Sequence, residues 1–462
     1  MGALVAPDID LTVLRRIHVV GVGGAGMSAI AEVLATMGHE VTGSDLKDST
    51  GLERLRALGV TVRVGHDAAN VRDADLVTRS TAIADNNVEC RAAQKRGIPL
   101  FSRAQMLGGI CLLRDTVAVA GTHGKTTTAS MLALVLREAG LRPSFIIGGD
   151  VNEIGTGAAW DDGQIFVVEA DESDGSFLDL DRRVAVVTNV EPDHLEYHGD
   201  FAGLRTAFRR FVQETDGVTV VGIDDEGGRR LAEGSGVMTV GTSVGATWRL
   251  ESVDEAWEGV SFDLVGPGGE CLPIQVPLPG LHNARNAAVA AVVGLIVASP
   301  PETVIDALAR FGGVARRFEH RGTAAGVEFV DDYAHLPTEV ATTIRACRSG
   351  SWSRLVAVFQ PHRYSRTESL AASFAEAFDG ADVVYVTEVF PAGESPRPGV
   401  TGRLVADAVR ASRPGTDVRY EPRREDLVVG LVEELREGDL CLTMGAGDLT
   451  SVPDEVRNRL EV

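Results

Sequence analysis

The stretch Ala120-Gly121-Thr122-His123-Gly124-Lys125-Thr126-Thr127-Thr128 sets a Gly-Lys-Thr core between a β-branched apolar run and a helix-like run. In such a loop the backbone amides cradle phosphates, the lysine reaches the β- and γ-oxygens, and the threonine hydroxyl is offered to Mg²⁺. The full G-x-x-x-x-G-K-[ST] pattern requires glycine at 119, where Val119 stands, so the loop is a shorter-spaced variant. The bland alternative is a glycine-rich turn with a surface lysine. Lysine is rare in this chain, however: Lys47, Lys95 and Lys125 are the three among 44 Lys plus Arg. Downstream, Glu169-Ala170-Asp171-Glu172-Ser173-Asp174 packs four carboxylates into six residues at the end of an apolar run. They repel unless a cation sits among them or they splay into solvent. His194 closes Thr188-Asn189-Val190-Glu191-Pro192-Asp193-His194, the end of the next apolar run. Together these residues are parts for phosphoryl transfer.

A second glycine loop lies upstream. Gly21-Val22-Gly23-Gly24-Ala25-Gly26 satisfies G-x-G-x-x-G after an apolar strand and opens a helix. Such glycines let backbone amides approach a pyrophosphate at a helix N-terminus, and Asp45, about 20 residues on, stands where a ribose hydroxyl is read. A nicotinamide dinucleotide and a UDP-sugar both carry a pyrophosphate beside a ribose, so the loop does not separate them. A plain strand-to-helix turn is the other reading.

The elements that must position these loops alternate. Strand-like runs at 17–23, 39–45 and 74–80 enclose helical runs at 27–38 and 52–59, a βαβαβ pattern of a parallel sheet. A second block starts at 116–121, feeds a helix over 125–139, and continues with strands at 164–171, 183–190 and 219–224. Residues 247–279 turn strand-rich and Pro/Gly-punctuated, like a small β insertion, and a helix is placed over 283–298. A third block carries strands at 327–334, 354–361, 381–389 and 439–447. The expected architecture is α/β in three domains. A Rossmann-like domain (1–112) precedes a P-loop NTPase-like central domain with a mostly parallel sheet (113–318), and a Rossmann-like C-terminal domain (319–462) follows.

Composition narrows the function. At 462 residues and 44% hydrophobic content, no domain needs disulfides or metal staples. The formal net charge of −22 argues against a nucleic-acid backbone as partner, so an anionic ligand must be held by local devices. Five widely spaced cysteines without a C-x-x-C pair point to a reducing compartment and no zinc site. No apolar run reaches a membrane span, and no secretory leader pattern opens the sequence. A cytoplasmic protein with no membrane partner is expected.

Read in order, GVGGAGMS (21–28), GTHGKTTT (121–128), EADESDGSF (169–177), TNVEPDH (188–194), HNARN (282–286), RRF (316–318), DDYAH (331–335) and FQPHRYSRT (359–367) resemble the Mur ligases over nearly the whole chain. GVGGAGMS and FQPHRYSRT point to the alanine-adding branch. The resemblance implies ATP-dependent joining of L-alanine to the lactyl carboxylate of UDP-N-acetylmuramate through an acyl phosphate, in peptidoglycan precursor synthesis. It implies ATP with Mg²⁺, or Mn²⁺ in its place, small-molecule substrates, and a monomer or homodimer. Carried over by position, Gly23, Gly24, Ala25, Gly26, Met27, Ser28, Asp45, His66 and Ser80 hold the UDP substrate. Gly121, Thr122, His123, Gly124, Lys125, Thr126, Thr127, Asn283, Asn286, Arg317 and Asp332 hold ATP. Thr126 and Glu169 ligate one metal and His194 a second. His362, Arg363 and Arg366 form the alanine pocket, where arginine can grip a carboxylate bidentately. Lys125, Glu169, His194 and Arg317 are the catalytic set, and His194 is also the candidate base for the alanine amine.

Other readings stand beside these. Asn283 and Asn286 could cap a helix, Arg363 and Arg366 could form a solvated face, and Asp331-Asp332 could be a strand-end turn. A dehydrogenase would explain the first loop but leave Lys125 and its acidic neighbours without a task. A non-catalytic nucleotide-binding regulator would need neither the carboxylates nor an amino-acid pocket. Two departures from the family pattern are visible. Leu336 stands where a second histidine usually follows His335. The stretch 201–212 carries arginines and no lysine, which rules out the lysine carbamylation found in other branches.

Overall fold

The computed structural model describes residues 9–461. Its first sheet has five parallel strands: β1 (Arg16–Val20), β2 (Glu40–Asp45), β3 (Thr61–Val64), β4 (Leu76–Arg79) and β5 (Leu100–Ser102), in spatial order β3-β2-β1-β4-β5. The interleaved helices are α1 (Ala25–Thr36), α2 (Thr50–Ala57), α3 (Val88–Arg96) and α4 (Arg103–Cys111). Local chemistry fixes their ends. Asn87 Oδ1 accepts from the Glu89 and Cys90 amides to start α3, and Ser102 with Gln105 forms a capping box on α4. Strand β3 escaped the sequence reading because it lies at the sheet edge, mostly exposed, and lacks the buried apolar run of its neighbours.

The second sheet has ten strands, in order β15-β14-β13-β12-β11-β10-β6-β9-β7-β8. These are β6 (Asp115–Ala120), β7 (Ser144–Val151), β8 (Thr156–Ala159), β9 (Ile165–Glu169), β10 (Val184–Val187), β11 (Val218–Gly222), β12 (Met238–Gly241), β13 (Trp248–Ala256), β14 (Gly259–Val265) and β15 (Cys271–Val276). The expected β insertion thus extends the edge of the central sheet, with β13 pairing in parallel to β12. Helix α5 (Lys125–Glu138) follows β6, and the chain continues through α6 (Leu195–His198), α7 (Phe201–Gln213), α8 (Glu226–Ala232), α9 (Leu281–Ile296) and α10 (Pro301–Ala309). Every residue of α5 from Thr126 to Leu136 is buried, whereas Lys125, Arg137 and Glu138 are not, as expected of a helix enclosed on all sides after a buried strand.

The third sheet has six strands, in order β16-β17-β21-β18-β19-β20. These are β16 (Glu319–Ala324), β17 (Val327–Asp332), β18 (Arg354–Phe359), β19 (Val383–Val386), β20 (Asp417–Tyr420) and β21 (Asp439–Met444). Strand β16 returns antiparallel on β17 through Ala325 and Gly326, both at positive φ, a hairpin the polar sequence did not announce. The accompanying helices are α11 (Pro337–Cys347), α12 (Tyr364–Leu370), α13 (Arg403–Ser412), α14 (Arg424–Glu434) and α15 (Val452–Leu460).

The architecture is therefore three mostly parallel α/β sheets in series. By internal packing the chain falls into two units. One holds the chain up to Glu251 with Asp263–Leu272 and Arg285–Leu308; the other holds Ser252–Phe262, Pro273–Ala284 and the chain from Ala309 on. In the first unit one apolar core runs from Leu11 to Ile223 and joins the first sheet's helices to the second sheet, and a smaller one gathers Val20, Val71, Val77 and Ala93. The second unit has a core on each face of its sheet, one around Phe359, Phe374 and Phe378, the other around Phe329, Tyr385 and Leu431. All five cysteines are unbridged thiols, four of them buried. Among the described residues no helix is long and apolar enough to cross a membrane.

Candidate active site

Strand β6 delivers the phosphate loop at its carboxyl end, and α5 begins at Lys125. Gly124 sits at φ +77° with the Asn286 amide packed where a Cβ would stand, so only glycine fits there. Asn189, at the end of β10, braces the loop: its Oδ1 accepts from the His123 amide at 2.9 Å and its Nδ2 donates to the His123 carbonyl at 3.0 Å. Thr122 Oγ1 accepts from the Glu191 amide at 2.9 Å, and His123 Nε2 lies 3.3 Å from Glu191 Oε2. Thr122, Thr126 and Thr127 are buried.

Charge is concentrated around Lys125. Its Nζ donates to Gly121 O at 2.6 Å and to Glu172 at 3.0 and 3.1 Å. Burial disfavours the ammonium, but Glu172, Asp171 and Glu169 outweigh burial and raise its pKa, so it stays protonated. Glu169, at the end of β9, accepts from Thr126 Oγ1 at 3.0 and 3.1 Å and from the Gly148 amide at 2.8 Å. His194 lies elsewhere in the cluster. Its Nε2 is 3.2 Å from Asp193, and it groups with Asp171 and Glu172, whose ligand atoms all lie within 4.8 Å of one another. The three predicted ligands thus fall into two places: Thr126 with Glu169, and His194 with Asp171 and Glu172, two acids the sequence did not single out as ligands. Hard carboxylate and hydroxyl oxygens with one imidazole suit a divalent cation, and His194 Nδ1 is buried without a hydrogen bond.

At the first sheet, Gly23 and Gly24 lie in the β1–α1 turn, Ala25, Gly26, Met27 and Ser28 open α1, and Gly23 N donates to Asp45 Oδ2 at 2.8 Å. Gly24 caps α1 without a side chain, and no acid lies in its first turn. Ser80 ends β4, its amide bonded to Val20 O at 3.0 Å. His66 follows β3 and bonds to Glu89 Oε2 at 2.9 Å and Ser44 Oγ at 3.1 Å. Asp45, His66 and Ser80 all stand at the carboxyl edge of this parallel sheet, where open α/β sheets take ligands.

In the second unit, Asp332 ends β17. It is half-buried, accepting from the Phe318 and Ala334 amides at 2.7 Å each. Burial pushes its carboxyl up to about 6, against the pull of Arg317. Arg316 and Arg317 lie over the Tyr333 ring at 4.9 and 4.7 Å. His362 stacks on Phe390 at 5.8 Å and 9°, and Arg366 Nη1 meets His362 Nδ1 at 3.2 Å. Arg363 precedes α12 at φ +66°, a strained conformation of the kind that gathers at functional sites. Asn283 is buried and donates to Pro279 O at 2.8 Å, bracing the start of α9.

Sequence reasoning missed Glu172 as the lysine's partner, Asn189 as the loop's brace and Glu89 beneath His66. The first two were visible as members of EADESD and TNVEPDH. Glu89 had no signal, because its role depends on long-range packing.

Three sequence profiles match the chain: the Mur ligase family catalytic domain over residues 16–114, the Mur ligase middle domain over 119–294, and the Mur ligase glutamate ligase domain over 316–447. The UDP-N-acetylmuramate–L-alanine ligase of Thermobifida fusca (strain YX) is 44% identical over 97% of this chain and 98% of its own length. The protein of the same name from Saccharopolyspora erythraea is 46% identical over 98% and 95%. The chain belongs to the Mur ligase family. Among solved structures, UDP-N-acetylmuramate-alanine ligase MurC from Thermotoga maritima superposes on this Mur ligase with a TM-score of 0.81 at 28% identity, covering 96% of this chain and 99% of that one. The murein peptide ligase mpl of Psychrobacter arcticus shares the fold at a TM-score of 0.71 and 23% identity, covering 97% and 99%.

Proposed function

We propose that this Mur ligase joins L-alanine to the lactyl carboxylate of UDP-N-acetylmuramate at the expense of ATP, in the cytoplasmic synthesis of peptidoglycan precursor. The observation that carries the reading is identity of 44% or more, over nearly full length on both sides, to ligases named for that reaction. The lysine–carboxylate arrangement around the phosphate loop supports it independently.

Residues 1–112 hold the UDP substrate, with Gly23–Ser28, Asp45, His66 and Ser80 as contacts. Residues 113–318 hold ATP through Gly121–Thr127, Asn283, Asn286 and Arg317, and residues 319–462 contribute Asp332 and the alanine pocket of His362, Arg363 and Arg366. Thr126 and Glu169 would hold Mg²⁺ or Mn²⁺, with His194, Asp171 and Glu172 as a second set. Such ions supply charge neutralisation at the phosphates.

The lactyl carboxylate attacks the γ-phosphorus of ATP, releasing ADP and leaving an acyl phosphate. The alanine amine then attacks the activated carbonyl, and phosphate departs. A carboxylate and a triphosphate repel, so the first step needs fixed positive charge where they meet. Lys125 supplies it from the phosphate loop, and Arg317 is the second cation that this reading assigns to the phosphates. Arg366 and Arg363 orient alanine by its carboxylate, leaving the amine to attack, and His194 is the base proposed for that amine.

The test is ADP formation with UDP-N-acetylmuramate, Mg²⁺ and each amino acid in turn. Release that depends on alanine is expected. ATP left unconsumed in the presence of all three substrates overturns the reading.

A further inference from the structure

Beneath the first sheet's carboxyl edge lies a buried acid that the proposed reaction does not use. Glu89 sits in the first turn of α3 and is wholly enclosed. Its Oε2 accepts from Ser44 Oγ at 2.6 Å and from His66 Nδ1 at 2.9 Å. Its Oε1 accepts from Asn70 Nδ2 at 2.5 Å and from the Asp67 amide at 3.3 Å, with His18 Nε2 at 3.7 Å. Burial alone would raise its pKa, but the nearby His18 and the donors Ser44 and Asn70 prevail and bring it down to about 2. The start of a helix favours the same charge. Glu89 is therefore an ionised carboxylate that can only accept.

That settles which His66 nitrogen carries hydrogen. The nitrogen facing a carboxylate must be the donor, so the neutral ring holds its proton on Nδ1 and presents a lone pair on Nε2. Among the described residues Nε2 has no hydrogen-bond partner, and the His66 side chain keeps 10% of its surface open. Gly65, bonded through its amide to Asp45 O at 2.7 Å, ties this histidine to the end of β2.

We propose that Glu89 is a positioning residue. It locks His66 in the Nδ1–H tautomer, so that Nε2 accepts a hydrogen bond from a hydroxyl or imide N–H of the substrate's nucleoside. This rests on His66 belonging to the UDP-substrate site, as proposed above. Glu89 never touches substrate; it acts through His66, with Ser44 and Asn70 holding the carboxylate in place.

The experiment uses the full chain labelled with ¹⁵N and long-range proton–nitrogen spectra of His66. The wild-type ring is expected as a single Nδ1–H tautomer. An Nε2–H ring overturns the proposal without any variant having to fold. UDP affinity is then measured by calorimetry for the wild type, Glu89→Gln, His66→Ala and the double variant. Glu89→Gln is expected to mix the tautomers and weaken UDP roughly tenfold, the scale of one hydrogen bond. In the His66→Ala background the second change is expected to cost nothing further. An equal loss in both backgrounds overturns the proposal, since Glu89 would then act by supporting the fold. A His66→Ala variant that binds UDP like the wild type removes His66 from the site while leaving the tautomer result standing, which separates failure of the site reading from failure of the Glu89 contact. Analogues lacking the 2′- or 3′-hydroxyl, or methylated at N3, identify the donor that meets Nε2.

Discussion

Lys125 Nζ lies between both carboxylate oxygens of Glu172, at 3.0 and 3.1 Å, and the carbonyl of Gly121 at 2.6 Å. The cation is thus held inside its own loop by an acid and a backbone oxygen. Glu172 is buried, and burial raises its pKa despite the lysine. Replacing Lys125 with methionine removes the charge meant for the phosphates and leaves Glu172 without its counter-ion. ADP formation is expected to fall at least about a hundredfold, the scale of losing one preorganised donor. UDP affinity, read by calorimetry, is expected to stay within about twofold, because Gly23–Ser28, Asp45, His66 and Ser80 belong to a different sheet. Parallel loss of both would show that the two nucleotide loops do not have separate tasks.

Much of this was legible in the sequence because the signals are local. A β-branched run, a glycine turn and a helix amount to a phosphate loop wherever they occur, so β6, Lys125 and α5 fall within a residue of where periodicity placed them. β1, α1 and four strands of the third sheet, β17, β18, β19 and β21, fall within three residues of the runs read for them. The roles of Glu89 and Asn189 were illegible for the opposite reason. Each acts through a partner more than 20 residues away, His66 and His123 respectively; Asn189 stands within TNVEPDH, but nothing local says that it braces the phosphate loop. The edge strands β3 and β16 were missed because one is exposed and the other polar, so neither carries a core-facing alternation.

Asp332 carries a pH dependence whose sign is fixed by its burial. Its carboxyl is pushed up to about 6 from an ordinary 3.8, so between those values the folded chain holds a proton that the unfolded chain has released. Its contribution to stability is greatest below the ordinary value, declines as pH rises towards 6, and is flat above. Activity should run the other way if the ionised form is needed beside Arg317. The profile of kcat/KM for ATP is expected to show an acid limb with a midpoint near 6, and Asp332→Asn is expected to abolish that limb. A limb that survives the substitution would assign it to another group.

Arg366 Nη1 meets His362 Nδ1, and His362 stays neutral throughout the physiological range. Burial pushes its pKa down to about 3, helped by His335, Arg366 and Arg363. The arginine's charge is therefore not spent on an ionic neighbour in the ring beside it. Arg366→Lys keeps the charge and loses the planar fork. It is expected to raise KM for alanine between about tenfold and a hundredfold, consistent with losing one charge-assisted hydrogen bond. KM for ATP and for the UDP substrate should stay unchanged. Steady-state kinetics with each substrate varied in turn checks this, and an equal rise in all three would assign Arg366 to the fold.

Leu336 is the clearest departure from the family pattern, and the structure gives it a packing role. It is 4% exposed, immediately before α11, where Glu339 Oε2 accepts from the His335 and Leu336 amides at 2.9 and 3.1 Å. The helix start is therefore held by Glu339 and backbone amides, with an apolar side chain tucked beneath. Leu336→His places a polar ring in that space and is expected to cost about 1–3 kcal/mol of stability in chemical denaturation. Glu339→Ala should cost about 1 kcal/mol through loss of the N-terminal bonds. The histidine variant is expected to leave KM for ATP unchanged below its melting temperature. A tenfold gain in ATP affinity on Leu336→His would mean instead that the leucine marks a ligand this chain has lost.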